Sequence, residues 1–172
     1  MSQAPTGATV EVAPGTYEVT NLSIVTDITL RAQLDGTVTL HAATTSAIVV
    51  YGRTATIEGL SLISEGESAQ ALYLAEGANV TGRNLTFLPN ESPFSPTAVK
   101  VSGSTLVLEG GTMTGQDQTG GGFDARAPIY ATQGSYLSLV GFTASANRGG
   151  HAAVIEADLG STVEINGGQF NG

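Results

Sequence analysis

The chain has 172 residues, which is enough for one domain with a sizeable core, and its formal net charge is −9. Its few Lys and Arg residues offer no basic face, so the composition argues against a nucleic-acid partner and against attraction to an anionic membrane. The absence of Cys excludes disulfides and thiolate metal sites, and no apolar run approaches the ~20 residues of a membrane-spanning helix.

The first third of the chain contains several runs in which apolar and polar residues alternate. These runs are A-T-V-E-V-A-P-G-T-Y-E-V, S-I-V-T-D-I-T-L-R-A and T-V-T-L-H-A. A period of two residues indicates β-strands with one buried face. His41 ends the last of these runs, and we expect it to face solvent or to cap the stack.

A repeat of turn residues begins after these strands. In each repeat a Gly is followed seven positions later by Gly or Asn, and a short alternating segment such as T-A-T-I-E or T-L-V-L-E lies between them. The pairs are Gly52/Gly59, Gly77/Asn84, Gly103/Gly110, Gly134/Gly141 and Gly160/Gly167. Gly and Asn tolerate positive φ, so both ends of each strand are predicted to be sharp turns.

Each repeat has room for two further strands. One precedes the leading Gly, as in A-I-V-V-Y, and one follows the second turn residue, as in L-S-L-I. The loop after this third strand accounts for most of the variation in repeat length, which is typical of a solenoid because lengthening elsewhere would break the stack. We predict a single all-β domain over residues 1–172, with three strands per coil and roughly seven coils.

The inward positions of these strands are predicted to form the core. On the middle strand they are Ala55, Ile57, Val80, Gly82, Leu106, Leu108, Leu137, Leu139, Val163 and Ile165. On the third strand they are Leu60, Leu62, Leu85, Phe87, Met113, Phe142, Ala144 and Phe170. Stacked in columns, they would supply most of the stability through apolar burial.

The three-strand coil, with Asn84 at a one-residue turn, resembles the right-handed parallel β-helix superfamily typified by pectate lyases. The opening G-A-T-V-E-V-A-P-G-T-Y-E-V is similar to the first coil of many such helices. The segments A-S-A-N-R-G-G-H-A-A-V-I-E-A and G-S-T-V-E-I-N-G-G-Q-F-N-G resemble β-helix repeats of bacterial surface adhesins. The resemblance implies a right-handed parallel β-helix, but it says little about function, because the superfamily includes lyases, hydrolases, epimerases, tailspikes and adhesive stalks.

In the enzymes of this superfamily the substrate groove follows the first strand of each coil. The outward residues of that strand here are Val49, Tyr73, Lys100, Tyr130 and Glu156. Tyr rings pack on sugar faces, and Lys or Glu bind hydroxyl or uronate groups, so Tyr73, Lys100, Tyr130 and Glu156 are the candidate polysaccharide-binding residues. The alternative is an ordinary solvated sheet face.

The long loops offer a weaker case for chemistry. Asp117, Asp124 and Arg126 lie in the longest loop and His151 in the next. Such a set could carry out acid–base catalysis, and the acids could bind Ca²⁺, but two acids seven residues apart form a poor calcium motif, so no cofactor is expected. Pectate lyases use several Asp on first strands with an Arg base, whereas the first-strand segments here carry only Glu156 and Asp158. The sequence therefore favours a role other than catalysis.

The end of the sequence bears on assembly. Phe170, Asn171 and Gly172 lie inside a third strand, so we expect either a segment of a longer β-helix or an uncapped unit that stacks end to end. The sequence predicts an extracellular or cell-surface module with a structural or adhesive role. The alternatives are a fragment of a polysaccharide lyase, hydrolase or epimerase and a self-assembling filament subunit.

Overall fold

A computed structural model describes residues 4–66, 69–89, 97–115, 127–146 and 153–171 of the chain. Those residues form β-strands, turns and loops, and no helix long and apolar enough to cross a membrane occurs among them. In chain order the strands are β1 (Ala8–Val12), β2 (Gly15–Glu18), β3 (Leu22–Ile24), β4 (Ile28–Ala32), β5 (Val38–Ala42), β6 (Ile48–Tyr51), β7 (Thr54–Glu58), β8 (Leu60–Ser64), β9 (Leu72–Ala75), β10 (Asn79–Arg83), β11 (Thr86–Phe87), β12 (Val99–Ser102), β13 (Thr105–Glu109), β14 (Thr112–Met113), β15 (Ile129–Thr132), β16 (Tyr136–Ser145), β17 (Ile155–Ala157) and β18 (Thr162–Asn171).

The strands stack on three faces, and the pairings between the described strands are parallel. The first face is a six-stranded sheet in the order β3-β6-β9-β12-β15-β17. The second face contains β1, β4, β7, β10 and β13, and the third contains β2, β5, β8, β11 and β14. β16 and β18 run through the corner, so each contributes its first half to the second face and its second half to the third. The predicted all-β parallel β-helix with three strands per coil is confirmed.

The solenoid makes about five turns, slightly fewer than the seven coils predicted. The difference arises at the two ends. Before β1, the described chain has no strand on the first face, so the opening coil is incomplete. The coil formed by β17 and β18 pairs on one side only within the described residues. The five coils between these two are stacked on both sides, except that β3 pairs only with β6.

The corner between the second and third faces is a left-handed turn in the coils that carry the predicted repeat. Its residues are Gly59 (φ 67°), Asn84 (φ 50°), Gly110 (φ 64°), Gly141 (φ 60°) and Gly167 (φ 76°). Gly adopts this conformation without a steric penalty, and Asn is among the side chains that tolerate it best. The prediction of a one-residue turn at these positions is confirmed.

The core is a set of stacked apolar columns inside the coil. Leu106, Leu108, Leu137 and Leu139 are fully buried, and the rings of Phe87 and Phe142 meet edge to face with centroids 6.3 Å apart. Burying each such side chain stabilises the fold by about 1.5–3 kcal/mol relative to exposing it.

Ile165 is an exception to the predicted core. It keeps the inward register opposite Leu139, yet 54% of its surface is exposed. Its neighbours Val163 and Phe170 are only partly buried. The sequence pattern identified their direction correctly, but burial also requires a coil on the far side, which the described chain does not place there.

We expect Gly111→Ala to destabilise the protein far more than Gly134→Ala. Both positions have positive φ, of 94° and 72°. A Cβ at Gly134 would meet nothing within 4 Å, whereas a Cβ at Gly111 would lie 2.3 Å from the carbonyl oxygen of Leu85. Gly134→Ala should therefore cost about 1–2 kcal/mol from backbone strain alone, and Gly111→Ala about 4 kcal/mol or more. Urea unfolding of both variants tests the difference, and equal midpoints would contradict the packing at this corner.

Candidate functional site

The predicted binding residues lie in one column on the first face. The strand register places Val49 opposite Tyr73, Tyr73 opposite Lys100, Lys100 opposite Tyr130, and Tyr130 opposite Glu156. Neighbouring parallel strands lie about 4.8 Å apart, so the column spans four strand spacings along the stack. The sequence alignment of the coils predicted this arrangement correctly.

The exposure of the column is uneven. Val49 is 4% exposed and Tyr130 9% exposed, although both point outward from the coil. The Tyr130 hydroxyl donates a hydrogen bond of 2.6 Å to Asp158 Oδ2. Tyr73 and Lys100 are half-buried, and Glu156 is exposed. The surface that a ligand could reach in this column is therefore centred on Tyr73 and Lys100, whereas the hydroxyl of the buried Tyr130 is engaged by Asp158.

Tyr51 extends this surface, although it was not among the residues predicted from the sequence. It ends β6, lies opposite Ala75 and is 45% exposed. Its ring meets the Tyr73 ring edge to face, with centroids 5.9 Å apart and an interplanar angle of 87°. The alternation of β6 was a sufficient signal, because Val49 and Tyr51 are two residues apart and must point to the same side of the sheet.

Lys100 completes the cluster from the next coil. Its Nζ lies 5.6 Å from the centroid of the Tyr73 ring, which is within the range of a cation–π interaction. Burial raises the pKa of the Tyr73 hydroxyl, with smaller contributions from Tyr51 and Glu76, so this hydroxyl stays protonated and can donate a hydrogen bond at neutral pH. We call these three residues the Tyr51–Tyr73–Lys100 cluster. It presents aromatic surface, a hydroxyl donor and an ammonium group together.

The loop residues considered for catalysis or calcium binding, Asp117, Asp124, Arg126 and His151, lie outside the described residues. On the first-face side, Glu156 is exposed and Asp158 accepts the hydrogen bond from Tyr130. Among the residues that the structure describes, no three His, Asp or Glu side chains are grouped in a way that could hold a metal ion.

A column of alternating charge runs along the second face. Its members, in register, are Glu11, Arg31, Glu58, Arg83 and Glu109. Arg31 forms an ion pair with Glu11, and Arg83 bridges Glu58 at 3.0 Å and Glu109 at 2.7 Å. The column was not predicted from the sequence. Its signal is a charged residue at the end of each middle strand or next to it, which reads E, R, E, R, E when the coils are aligned.

A groove of about 580 Å³ lies beside the start of this column. One wall is the longer connection between β4 and β5, where Leu34 is completely exposed. The floor includes Arg31, Glu58 and Arg83, which are acids and bases of the charge column. The groove is therefore lined by charges of both signs, and its arginines are already paired with glutamates.

His41 lies on the third face between two carboxylates. Its Nδ1 is 2.7 Å from Glu18 Oε1, and its Nε2 is 3.3 Å from Glu65 Oε2. The hydrogen bond to Glu18 raises the pKa of His41 most, burial opposes this, and Glu65 adds to the increase. The imidazolium form satisfies both carboxylates because each ring nitrogen then carries a proton. His41 thus lies on the surface, as expected, and its chemistry here is that of an ion-paired residue.

No protein-family model, curated protein or solved structure matches this chain. The resemblance to pectate lyases and adhesins therefore stays a prediction, whereas the parallel β-solenoid follows from the strand pairing itself.

We expect Arg83→Gln to lower the melting temperature at low salt and to have a much smaller effect in about 1 M NaCl. The substitution removes the positive charge between Glu58 and Glu109, and both salt and solvent screen exposed pairs of this kind. Arg53→Gln is a suitable control because Arg53 is exposed and lies outside the charge column. A loss that does not depend on salt would show that Arg83 acts through packing and not through its charge.

The ion pairs of His41 predict a pH-dependent contribution to stability. Since the folded-state pKa is raised above the usual 6.5, the contribution is complete below that value and is lost as the pH rises through the folded-state pKa. His41→Gln should therefore lower the free energy of unfolding at about pH 6, by less than about 1 kcal/mol, and change it little at about pH 9. Glu18→Gln should weaken the same pH dependence. Denaturant titrations at both pH values test this, and a loss of equal size at both would contradict it.

Proposed function

We propose that this chain is a structural or adhesive β-helix module of an extracellular or cell-surface protein, and that it contacts a neutral polysaccharide through the Tyr51–Tyr73–Lys100 cluster. The observation that carries the proposal is the cluster itself. Two tyrosine rings and the only lysine of a chain with a net charge of −9 lie on adjacent coils of one face.

The chemistry of the cluster suits a sugar ring. A pyranose has a face of C–H groups that packs on an aromatic ring, and its rim of hydroxyls accepts and donates hydrogen bonds. The exposed ring of Tyr51 supplies the packing surface, the Tyr73 hydroxyl supplies a donor, and the Lys100 ammonium supplies donors without an acceptor.

The negative charge of the molecule favours a neutral polysaccharide over an acidic one. Lys100 is one cation in a strongly acidic chain, Glu76 is close enough to raise the pKa of the Tyr73 hydroxyl, and Glu156 is exposed on the same face. These negative charges would repel a polyanionic glycan at low ionic strength. A neutral polymer avoids that repulsion and can still form hydrogen bonds with the cluster.

The rest of the molecule suits a scaffold. Coils paired on both sides hold the cluster on strands and not on a loop, so its side chains have a fixed spacing. The third face presents an uncharged polar column. Its members are Thr16, Thr39, Ser61, Thr86, Thr112 and Thr143. Exposed strands rich in Thr and Ser are common in secreted and surface β-proteins, which supports the proposed location.

We expect Tyr51→Ala to weaken binding to a neutral polysaccharide by about tenfold, since an aromatic contact contributes about 0.5–1.5 kcal/mol beyond its buried area. Affinity electrophoresis through gels that contain soluble neutral glycans measures this retention. Tyr136→Ala is the matched control because Tyr136 lies on the second face, where its hydroxyl donates to Glu164 at 2.7 Å. If the wild-type chain is not retarded by any neutral glycan, or if both variants lose retention equally, the proposed site is wrong.

A further inference from the structure

Easily oxidised side chains are few in this protein, and most of them are tyrosines. The chain has five Tyr but no Cys or Trp, and one of its two Met residues, Met113, is buried. Thiols and thioethers, which usually consume an oxidant, are therefore scarce. Tyr51 is the most exposed of the tyrosines, at 45%, so an oxidant in solution reaches its phenol ring most easily.

The ring of Tyr51 touches the ring of Tyr73. The two centroids are 5.9 Å apart and the ring planes meet at 87°, so the edge of one ring faces the other. All five tyrosines lie in the part of the chain that the structure describes, and among these residues no other pair of tyrosine rings is in contact. A radical formed on either of these two rings therefore has a second phenol beside it.

The strand register brings the two rings together from adjacent coils. Tyr51 ends β6 opposite Ala75 of β9, and Tyr73 lies in β9 opposite Val49 of β6. The rings thus stand on a diagonal between two strands that are about 4.8 Å apart, and the small side chain of Ala75 leaves room for the Tyr73 ring beside Tyr51. Because β6 also pairs with β3 and β9 with β12, both strands are held at this spacing from either side.

We propose that Tyr51 and Tyr73 form a site of oxidative cross-linking, at which a peroxidase and hydrogen peroxide join the two rings as an intramolecular dityrosine. Each phenol loses one electron and its hydroxyl proton. The two radicals form a carbon–carbon bond between ring positions ortho to the hydroxyls. Each ortho hydrogen then moves as a proton to the oxygen of its own ring, which restores both aromatic systems. Hydrogen peroxide accepts the two electrons and two protons and becomes two molecules of water.

The cross-link joins two coils of the solenoid covalently. The chain has no Cys and hence no disulfides, so β6 and β9 are otherwise held together by backbone hydrogen bonds and side-chain packing. A bond between Tyr51 and Tyr73 closes the segment between them into a loop, which lowers the entropy of the unfolded chain and so stabilises the fold. This modification goes beyond the proposed carbohydrate contact, because it involves no glycan.

The test is treatment of the dilute 172-residue chain with a peroxidase and hydrogen peroxide. Trypsin cleaves after Arg53, so Tyr51 and Tyr73 leave the protein on separate peptides, 32–53 and 54–83. We expect mass spectrometry to find these two peptides joined, with the loss of two hydrogen atoms, and the monomer to show the blue fluorescence of dityrosine. The cross-linked monomer should melt about 5 °C or more above the untreated protein, and an equal melting temperature would contradict the stabilising role.

Tyr51→Phe should abolish the joined peptides, because it keeps the ring but removes the hydroxyl that loses a proton. Tyr136→Phe is the matched control and should leave their yield unchanged, since Tyr136 lies on the second face with its hydroxyl bonded to Glu164. Circular dichroism before oxidation checks that both variants fold.

The proposal is overturned if the wild-type chain forms no dityrosine or only intermolecular dityrosine. It is also overturned if other tyrosine-containing peptides are joined as often, or if Tyr51→Phe keeps the wild-type yield. Neither the peptide map nor the fluorescence involves a glycan, so failure of this proposal is distinguishable from failure of the proposed carbohydrate contact.

Discussion

The left-handed corner between the second and third faces is the constraint on which the rest of the structure depends. A residue with positive φ turns the chain there, and Gly110 and Asn84 show that the position is filled by Gly or by a side chain that tolerates this conformation. Because the corner has a constant length in the repeat, each coil enters the third face in register with the coil before it. At Gly111 the preceding coil passes so close that a Cβ would overlap the backbone of Leu85.

Constant register turns each sequence position into a column. Inward positions become continuous apolar columns, and the leucines of β13 and β16 illustrate this. Outward positions place like residues about 4.8 Å apart, so charges can be stacked only if their signs alternate. The column from Glu11 to Glu109 follows that rule, because each arginine lies between two glutamates in register.

The faces and the ends of the solenoid therefore have different functional capacities. A face holds side chains at fixed spacing on strands, which is the property on which the proposed carbohydrate contact of the Tyr51–Tyr73–Lys100 cluster depends. An end exposes backbone groups together with a cross-section of the core, as the exposure of Ile165 shows. The proposed carbohydrate contact uses the first of these two kinds of surface.

The sequence by itself determined the fold class, the turn positions, the inward residues and the column that contains Tyr73 and Lys100, because these follow from local periodicity and from which residues tolerate positive φ. The tertiary structure decided how buried each side chain is and which residues it contacts. Val49 and Tyr130 point outward yet are buried, and Ile165 points inward yet is exposed. The contact of Lys100 with the Tyr73 ring and the alternation of ion pairs also arise between coils about 26 residues apart. Periodicity determines the direction of a side chain within its own strand, whereas burial and pairing depend on the neighbouring coils.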